Sequence, residues 1–282
     1  MLPAVFFAVV LLFSVAAGVM GAILGLGGGV ILVPFLTLVM GLNIHYAIGA
    51  SLVSVIATSS GAAATYVRSK ISNLKIGLFL SMATTVGAIS GAYLAGVIPT
   101  RVLFIIFGVV LAYSALAMFR KRKTELPVGV KNCAISDYLC LNDSYHDPAL
   151  NREVDYGVSG ALPGLGLMYV AGAASGLLGI GSGILKVPAM DLVMRLPMKV
   201  SSATSNFMIG ITAAASAAVY FLRGDINPFI AAPVAIGVLT GAMMGTHFLH
   251  NFTSSGIRTF FVVILVVVSL QMLLKGAGVT FY

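Results

Sequence analysis

The residues whose types and spacing best suit ligand binding lie in two short glycine-rich stretches. GLGGG occupies positions 25–29 and GIGSG positions 179–183, each inside a long apolar run. Glycine in a helix costs about 1 kcal/mol relative to alanine, so each cluster predicts a break after which a new half-helix begins. Such a helix start presents N–H groups at the positive end of a dipole, where an anion can bind. The predicted anion-binding positions are Gly25, Gly27, Gly28, Gly29, Gly179, Gly181, Ser182 and Gly183.

The alternative interpretation is that these glycines only let helices pack closely. Packing does not account for the proline that follows each cluster, Pro34 or Pro188, to which we assign a structural role. Catalysis is not expected, because a serine nucleophile elbow needs glycine at 180 and 184, where isoleucine stands, and no Walker lysine follows either cluster. Five further glycines have no such break beside them and are predicted to pack helices together: Gly87, Gly91, Gly237, Gly241 and Gly245.

A single lysine lies inside the second apolar run. Lys186 follows Gly183 by three residues, at a place where a charge costs about 3 kcal/mol unless it is paired or hydrated. It either adds a positive charge beside the bound anion, or it reaches the membrane surface or pairs with Asp191. The sequence leaves these alternatives open.

Hydroxyl and amide side chains lie near the start of the helix that follows each half-helix. Ser51, Ser205 and Asn206 could donate hydrogen bonds to an oxyanion, although serine also bonds to its own helix backbone without any functional consequence. We include these three residues in the predicted substrate site.

The elements that must position these residues are membrane helices. Of the 282 residues 59% are hydrophobic and only 9% are charged, which is less charge than the surface of a soluble protein carries. Apolar runs of roughly twenty residues match the ~30 Å hydrocarbon core of a bilayer. We therefore predict an all-α polytopic membrane protein with about 8–10 segments in the lipid bilayer.

The chain contains an internal duplication. Shifted by 154 residues, AGVMGAILGLGGGVILVP (17–34) falls on AGAASGLLGIGSGILKVP (171–188), and Ser51 falls on Ser205. Lys186 falls on Leu32, so the charge is not part of the duplication. The predicted membrane domains are residues 1–119 and 158–282, each a glycine-broken helical hairpin followed by three transmembrane helices.

A polar linker, residues 120–157, separates the two repeats. It holds six acids and six bases, so the net charge of +8 resides in the membrane part, with ten bases and two acids. The RKRK run at 120–123 places the linker in the cytoplasm. Tracing the loops from there puts Arg195 and Lys199 inside only if the second repeat is upside down. We therefore predict two inverted-topology repeats joined by a solvated cytoplasmic linker.

Other classes of function have less support. Cys133 and Cys140, with His146 nearby, match no zinc pattern, so we expect two free thiols, no metal site and no cofactor. The basic residues are scattered at helix ends rather than interleaved with aromatic residues, which argues against nucleic acid as a partner. The first apolar segment lacks a basic leading region, and we do not expect it to be a cleaved signal peptide.

The twin motifs GLGGGVILVP (25–34) and GIGSGILKVP (179–188), in a duplicated chain of this length, resemble the TauE/SafE family of sulfite and organosulfonate exporters. The resemblance covers nearly everything except the linker, and the second motif departs from the usual one at Ser182 and Lys186. It implies a multi-pass transporter of the cell (inner) membrane that exports sulfite or a small organosulfonate by alternating access. An anion importer or an anion channel using the same site is the alternative, and assembly into a homo-oligomer stays open.

Overall fold

The computed structural model describes residues 3–24, 28–68, 71–120, 133–147, 152–181, 183–248 and 254–278. Within them the fold is all-α apart from one two-stranded hairpin. Five of the described helices are long and apolar enough to cross a membrane: Ile44–Gly61, Leu74–Val97, Thr100–Ala117, Ala161–Leu178 and Met198–Leu222. The protein is therefore a multi-pass helical membrane protein, as the composition predicted.

The first half of the chain forms a long helix, a short helix after a break, and three further long helices. The short helix continues into a five-residue π-helix, Phe35–Val39, directly after Pro34. These elements are α1 (Pro3–Leu24), α2 (Gly29–Pro34), α3 (Ile44–Arg68), α4 (Leu74–Val97) and α5 (Thr100–Arg120).

The linker contains a short helix, α6 (Ala134–Tyr138), and an antiparallel hairpin of β1 (Asp143–Asp147) and β2 (Arg152–Tyr156). The second half then repeats the order of the first. Its helices are α7 (Ala161–Leu178), α8 (Gly183–Leu192), α9 (Met198–Leu222), α10 (Pro228–Phe248) and α11 (Ser254–Gly276).

The helices of each half pack mainly against helices of the other half. Helix α1 lies against α10, and its counterpart α7 lies against α4. The equivalent helices α3 and α9 pack against each other, as do α5 and α11. Every major contact in one half thus has its counterpart in the other half, which is the pattern of an approximate two-fold relation.

Contacts along α9 give the directions of the central helices. The Asn73 amide, before α4, donates to the Thr204 hydroxyl, near the start of α9, at 3.1 Å, and Arg223, after α9, donates to the Ala92 carbonyl, near the end of α4, at 2.9 Å. Helices α4 and α9 therefore run in the same direction. Helix α3 runs opposite to α9, because Gly49, near its start, contacts the backbone of Asp225, which follows the end of α9.

Glycines let α4 and α7 approach backbone to backbone. A Cβ at Gly91 would overlap the Ala173 carbonyl, and a Cβ at Gly172 would overlap the Thr84 carbonyl. Helices α1 and α10 repeat this contact, with Gly241 against the Val15 carbonyl. The prediction that Gly91 and Gly241 pack helices together is confirmed. Small residues of this kind hold membrane helices together because lipid offers no hydrophobic drive for their association.

The folded part of the linker covers one end of the membrane bundle; we call residues 133–147 and 152–156 the linker cap. Leu141, Tyr145 and Tyr156 of the cap are buried in one apolar cluster with Ile76 of α4 and Met194, which follows α8. The expectation of a merely solvated linker is wrong for this segment. The prediction relied on the overall charge balance of the linker, which does not show its apolar side chains. These side chains are buried because they pack on the ends of the membrane helices.

Asn73 fastens the cap to the bundle. Its side-chain oxygen accepts the Ile76 amide and so caps α4, while its Nδ2 donates to the Leu141 carbonyl at 2.9 Å and to the Tyr156 hydroxyl at 3.0 Å. Burial raises the pKa of Tyr156 to about 12, so this hydroxyl stays protonated throughout the neutral range. One amide side chain thus joins a membrane helix to both parts of the cap.

Candidate functional site

The first glycine break ends in a left-handed residue. The predicted positions Gly25 and Gly27 lie outside the described residues. Gly28 has φ of 69°, a conformation that disfavours any residue with a Cβ. Its carbonyl accepts the amides of Ile31 and Leu32, and α2 begins at the next residue, Gly29. A new helix therefore starts inside the motif, as predicted.

The second break needs two left-handed glycines. Helix α7 ends at Leu178, and Gly179 and Gly181 have φ of 68° and 70°. Helix α8 begins at Gly183, and Ser182 lies outside the described residues. Side chains at 179 and 181 would strain this backbone, so glycine at these two positions has a conformational reason as well as a packing one.

The two breaks meet at the crossing of α3 and α9. A Cβ at Gly29 would lie 2.8 Å from the Gly179 carbonyl oxygen, so the start of α2 touches the end of α7. A Cβ at Gly181 would lie 3.0 Å from Val55 of α3 and 3.1 Å from Ile209 of α9. Val55 and Ile209 are equivalent positions of the duplication. The second motif therefore lies between α3 and α9, beside equivalent residues of the two repeats.

The two motif prolines lie at different places in their half-helices, Pro34 at the last residue of α2 and Pro188 inside α8. Pro34 is buried, and the helix widens into the π-helix directly after it. Proline has no amide for the helical hydrogen bond and crowds the preceding turn, which accounts for such a change in winding. Pro188 lies inside α8, which stays α-helical to Leu192.

Ser51 and Ser205 have different surroundings although they are equivalent in the duplication. The Ser51 hydroxyl donates to the Gly179 carbonyl at 2.7 Å and so fastens α3 to the second break. The Ser205 side chain is 1% exposed, and its hydroxyl has no hydrogen-bond partner among the described residues. Asn206 is buried and donates to the Ser202 carbonyl of its own helix at 3.1 Å. Of these two serines, Ser205 is therefore the one whose hydroxyl could donate a hydrogen bond to a ligand.

Lys186 is fully buried in the bundle. Its exposure is 0%, and its Nζ donates to the Thr212 hydroxyl of α9 at 2.8 Å. That hydroxyl donates to the Met208 carbonyl at 2.7 Å and lies 3.2 Å from the Thr84 hydroxyl of α4. Three helices, α4, α8 and α9, thus surround the ammonium group.

The structure removes both structural alternatives for this lysine. Lys186 does not reach the membrane surface, and no carboxylate in the described part of the chain pairs with it. An ammonium group without a counter-ion is costly in a low-dielectric interior.

The geometry of α8 brings the ammonium group toward the glycine break. Side chains of an α-helix lean toward its N-terminus, and Lys186 is three residues beyond Gly183, where α8 begins. Its contact with Thr212 fits this direction, because α9 runs opposite to α8 after a short turn. The charge and the positive end of the helix dipole therefore act in the same region.

Helix α9 carries a stripe of buried hydroxyls past this region. The members are four or seven residues apart and are at most 1% exposed: Ser201, Ser205, Thr212 and Ser216. Such spacing places them on one face of the helix. Ser201 and Ser205 have no partner within the described residues, so this face has unused donors for a polar ligand.

Sequence reasoning left Thr212 and Thr84 out of the predicted site. The duplication aligns Thr212 with Thr58, whereas the contact with a lysine occurs only at Thr212 of this pair. Thr84 aligns with Val238. In the duplication a hydroxyl residue, Thr84, aligns with an apolar one, as Lys186 aligns with Leu32. These two mismatches were the signal in the sequence that the two halves differ here.

The thiols and the acidic residues form no further centre in the described segments. Cys133 and Cys140 are free cysteines of the linker cap. No group of three or more His, Cys, Asp and Glu residues that could hold a metal ion occurs among the described residues.

A multi-pass helical bundle with two converging helix breaks and a buried cation, which no carboxylate of the described segments pairs with, is typical of the transporter class of membrane proteins. Comparison with known families agrees. Residues 10–272 match the family described as sulfite exporter TauE/SafE. The chain therefore belongs to the TauE/SafE family of membrane transporters, which confirms the resemblance seen in the twin motifs.

Curated relatives match over most of their length. The chain is 27% identical to the probable membrane transporter protein YunE of Bacillus subtilis (strain 168), over 96% of this chain and 98% of the relative. It is 26% identical to a probable membrane transporter protein of Xylella fastidiosa (strain 9a5c), over 85% of both chains. YdhB of B. subtilis, also a probable membrane transporter protein, is 25% identical over 85% of this chain and 89% of its own length. No solved structure matches the chain.

Proposed function

We propose that this protein is a secondary transporter that exports sulfite or a small organosulfonate from the cell, with the anion bound where the glycine breaks meet. The observation that carries the proposal is Lys186, a fully buried ammonium group whose described partner is a hydroxyl rather than a carboxylate. A bound anion would supply the missing counter-charge, and the energetic cost of the buried lysine would then be offset in the complex.

The binding site combines three kinds of donor. Lys186 contributes the charge, the start of α8 at Gly183 contributes the helix dipole, and Ser205 contributes a hydroxyl that is not otherwise used. By the duplication, Ser205 should face α8 as Ser51 faces α2. The oxygens of a sulfite or sulfonate group accept hydrogen bonds in several directions, which suits donors that come from different helices.

Alternating access follows from the symmetry that we infer for the two halves. The opposite directions of the equivalent helices α3 and α9 support inverted-topology repeats, and so do the positions of basic residues in the loops. Inverted repeats allow a transporter to exchange an outward-open state for an inward-open one around a site at their interface. The contacts beside Gly29 and Gly181, where the breaks meet, support a site at that interface.

Export requires no further source of energy for a charged substrate. An inside-negative membrane potential favours the exit of an anion by about 2.3 kcal/mol per charge for each 100 mV. Through a uniporter of this kind, the membrane potential would therefore drive the anion outward under ordinary cellular conditions. We assign the protein to the inner membrane of the cell, because that membrane carries the inside-negative potential.

Lys186→Met tests the proposal, because it separates a ligand-binding role from a structural one. Methionine fills a similar volume without a charge, so it should keep or raise the thermal stability of the purified protein. Flux of sulfite and methanesulfonate into proteoliposomes should fall about 100-fold, whereas Lys186→Arg should retain part of it. Unchanged flux in Lys186→Met, or absence of flux of both anions in the wild type, would refute the proposal. Flux that does not saturate with concentration would identify a channel instead.

A further inference from the structure

We propose that the site selects anions with a single negative charge, of the alkyl sulfonate type, over anions with two charges. This inference rests on the proposed function and specifies its substrate class. The duplication repeats the glycine breaks, the prolines and the serines, yet it supplies a charge only once. The number of charges in the site, and not only their presence, then becomes a determinant of substrate choice.

Lys186 is the sole charged side chain that is fully buried among the described residues. Its repeat partner, Leu32 of α2, is likewise 0% exposed, so the equivalent position in the first half is apolar and closed to solvent. The threonine that receives Lys186, Thr212, has Thr58 as its equivalent, and the Thr58 hydroxyl instead bonds to carbonyls of its own helix, Ser54 at 3.0 Å and Val55 at 3.2 Å. The first half thus has the hydroxyl but lacks the ammonium group.

A complex of one ammonium group and one singly charged anion is neutral overall. A doubly charged anion in the same place would leave one negative charge without a partner in the low-dielectric interior. The cost of such a charge corresponds to a discrimination on the order of 100-fold. The breaks contribute dipoles, which act on either anion, and therefore do not restore the balance for the second charge.

Proteoliposomes with the full chain and two matched substrates test this inference. Methanesulfonate carries one charge and methanedisulfonate carries two, and both have the same sulfonate group. The wild type should transport methanesulfonate with a kcat/KM on the order of 100-fold higher. Leu32→Lys adds a second ammonium group at the repeat position, and it should reduce that ratio at least about tenfold. Leu32→Met, which adds no charge, should leave the ratio as in the wild type.

A double variant, Leu32→Lys with Lys186→Leu, moves the charge to the first half and keeps the total at one. It should restore a preference for the singly charged anion, which distinguishes the effect of charge number from that of a damaged helix. Comparable kcat/KM for both anions in the wild type would overturn the inference and leave the proposed function standing, since both anions would still move. If Leu32→Lys does not fold, the wild-type ratio decides. Lack of methanesulfonate transport with normal sulfite transport would also overturn the inference, whereas lack of transport of sulfite and of both sulfonates would instead refute the proposed function.

Discussion

The Lys186 ammonium group donates a 2.8 Å hydrogen bond to the Thr212 hydroxyl, and this pair joins the half-helix α8 to the central helix α9. The Thr212 hydroxyl in turn donates to the Met208 carbonyl and lies near Thr84 of α4. The lysine is therefore held in place by a hydroxyl that is itself fixed by backbone. A cation held in this manner is ready for an anion without being neutralised beforehand.

Replacing Thr212 by valine should disturb the lysine without removing its charge. The ammonium group loses its acceptor inside the bundle, which should lower stability by about 1–3 kcal/mol, and it is no longer held, which should raise the KM for methanesulfonate. Thr58→Val is the comparison from the other repeat and should have the smaller effect on KM, because the Thr58 hydroxyl bonds within its own helix. Equal effects of the two substitutions on KM would contradict a special role for Thr212.

Ser51 and Ser205 should respond to alanine in opposite ways. Ser51→Ala removes the donor to the Gly179 carbonyl and should lower the stability in detergent by about 1–3 kcal/mol. Ser205→Ala removes no hydrogen bond of the described structure, so its thermal unfolding should change little while its flux falls. The measurements are a thermal unfolding curve and a proteoliposome flux for each variant. A destabilised Ser205→Ala with normal flux would assign that hydroxyl to the fold.

The contact of α4 with α7 should be intolerant of a single methyl group. Gly91→Ala places a Cβ onto the Ala173 carbonyl, which cannot move without separating the two helices, and it should cost about 1–3 kcal/mol. Gly166→Ala, in α7, is a suitable control because a Cβ there meets nothing within 4 Å. That substitution should be neutral or stabilise the protein by up to about 1 kcal/mol. Size-exclusion chromatography and thermal unfolding would measure both.

Asn73 and Asn227 are equivalent in the duplication but should differ in importance. Asn227 caps α10 by accepting the Phe229 amide, whereas Asn73 both caps α4 and holds the linker cap. Asn227→Ala should cost about 1 kcal/mol, as for an ordinary helix cap. Asn73→Ala should cost about 2–3 kcal/mol and increase hydrogen exchange in the linker cap, residues 133–147 and 152–156. Unchanged exchange in that segment would show that the apolar cluster alone holds the cap.

Transport of sulfite should increase as pH falls across the neutral range. Sulfite then takes up a proton and changes from a doubly to a singly charged anion, which is the form that a site with one cation favours. Methanesulfonate stays singly charged over the same range and provides the control, since its flux should stay flat if the protein itself is unchanged. Sulfite flux that rises with pH at constant total concentration would argue against this selectivity.

Several features could be predicted from the sequence because they depend on local composition. The apolar runs, the position of each break and the duplication are all properties of neighbouring residues or of a fixed shift. The helix start at Gly29 and the left-handed Gly179 and Gly181 follow from what glycine permits in a backbone. The family could be identified for the same reason, since its signature lies in contiguous motifs.

Other features depend on which distant segments come into contact. The sequence alone showed that Ser51 and Ser205 are equivalent. Only the packing of α3 on the second break decided that the Ser51 hydroxyl bonds to the Gly179 carbonyl, whereas the Ser205 hydroxyl has no partner among the described residues. The sequence also could not show that the linker cap is folded, because the ends that it covers belong to α4, α8 and α9. The surroundings of Lys186 likewise depend on contacts between distant segments. Its type and position were visible, yet its burial and its hydroxyl partner arise from three helices that meet only in the tertiary structure.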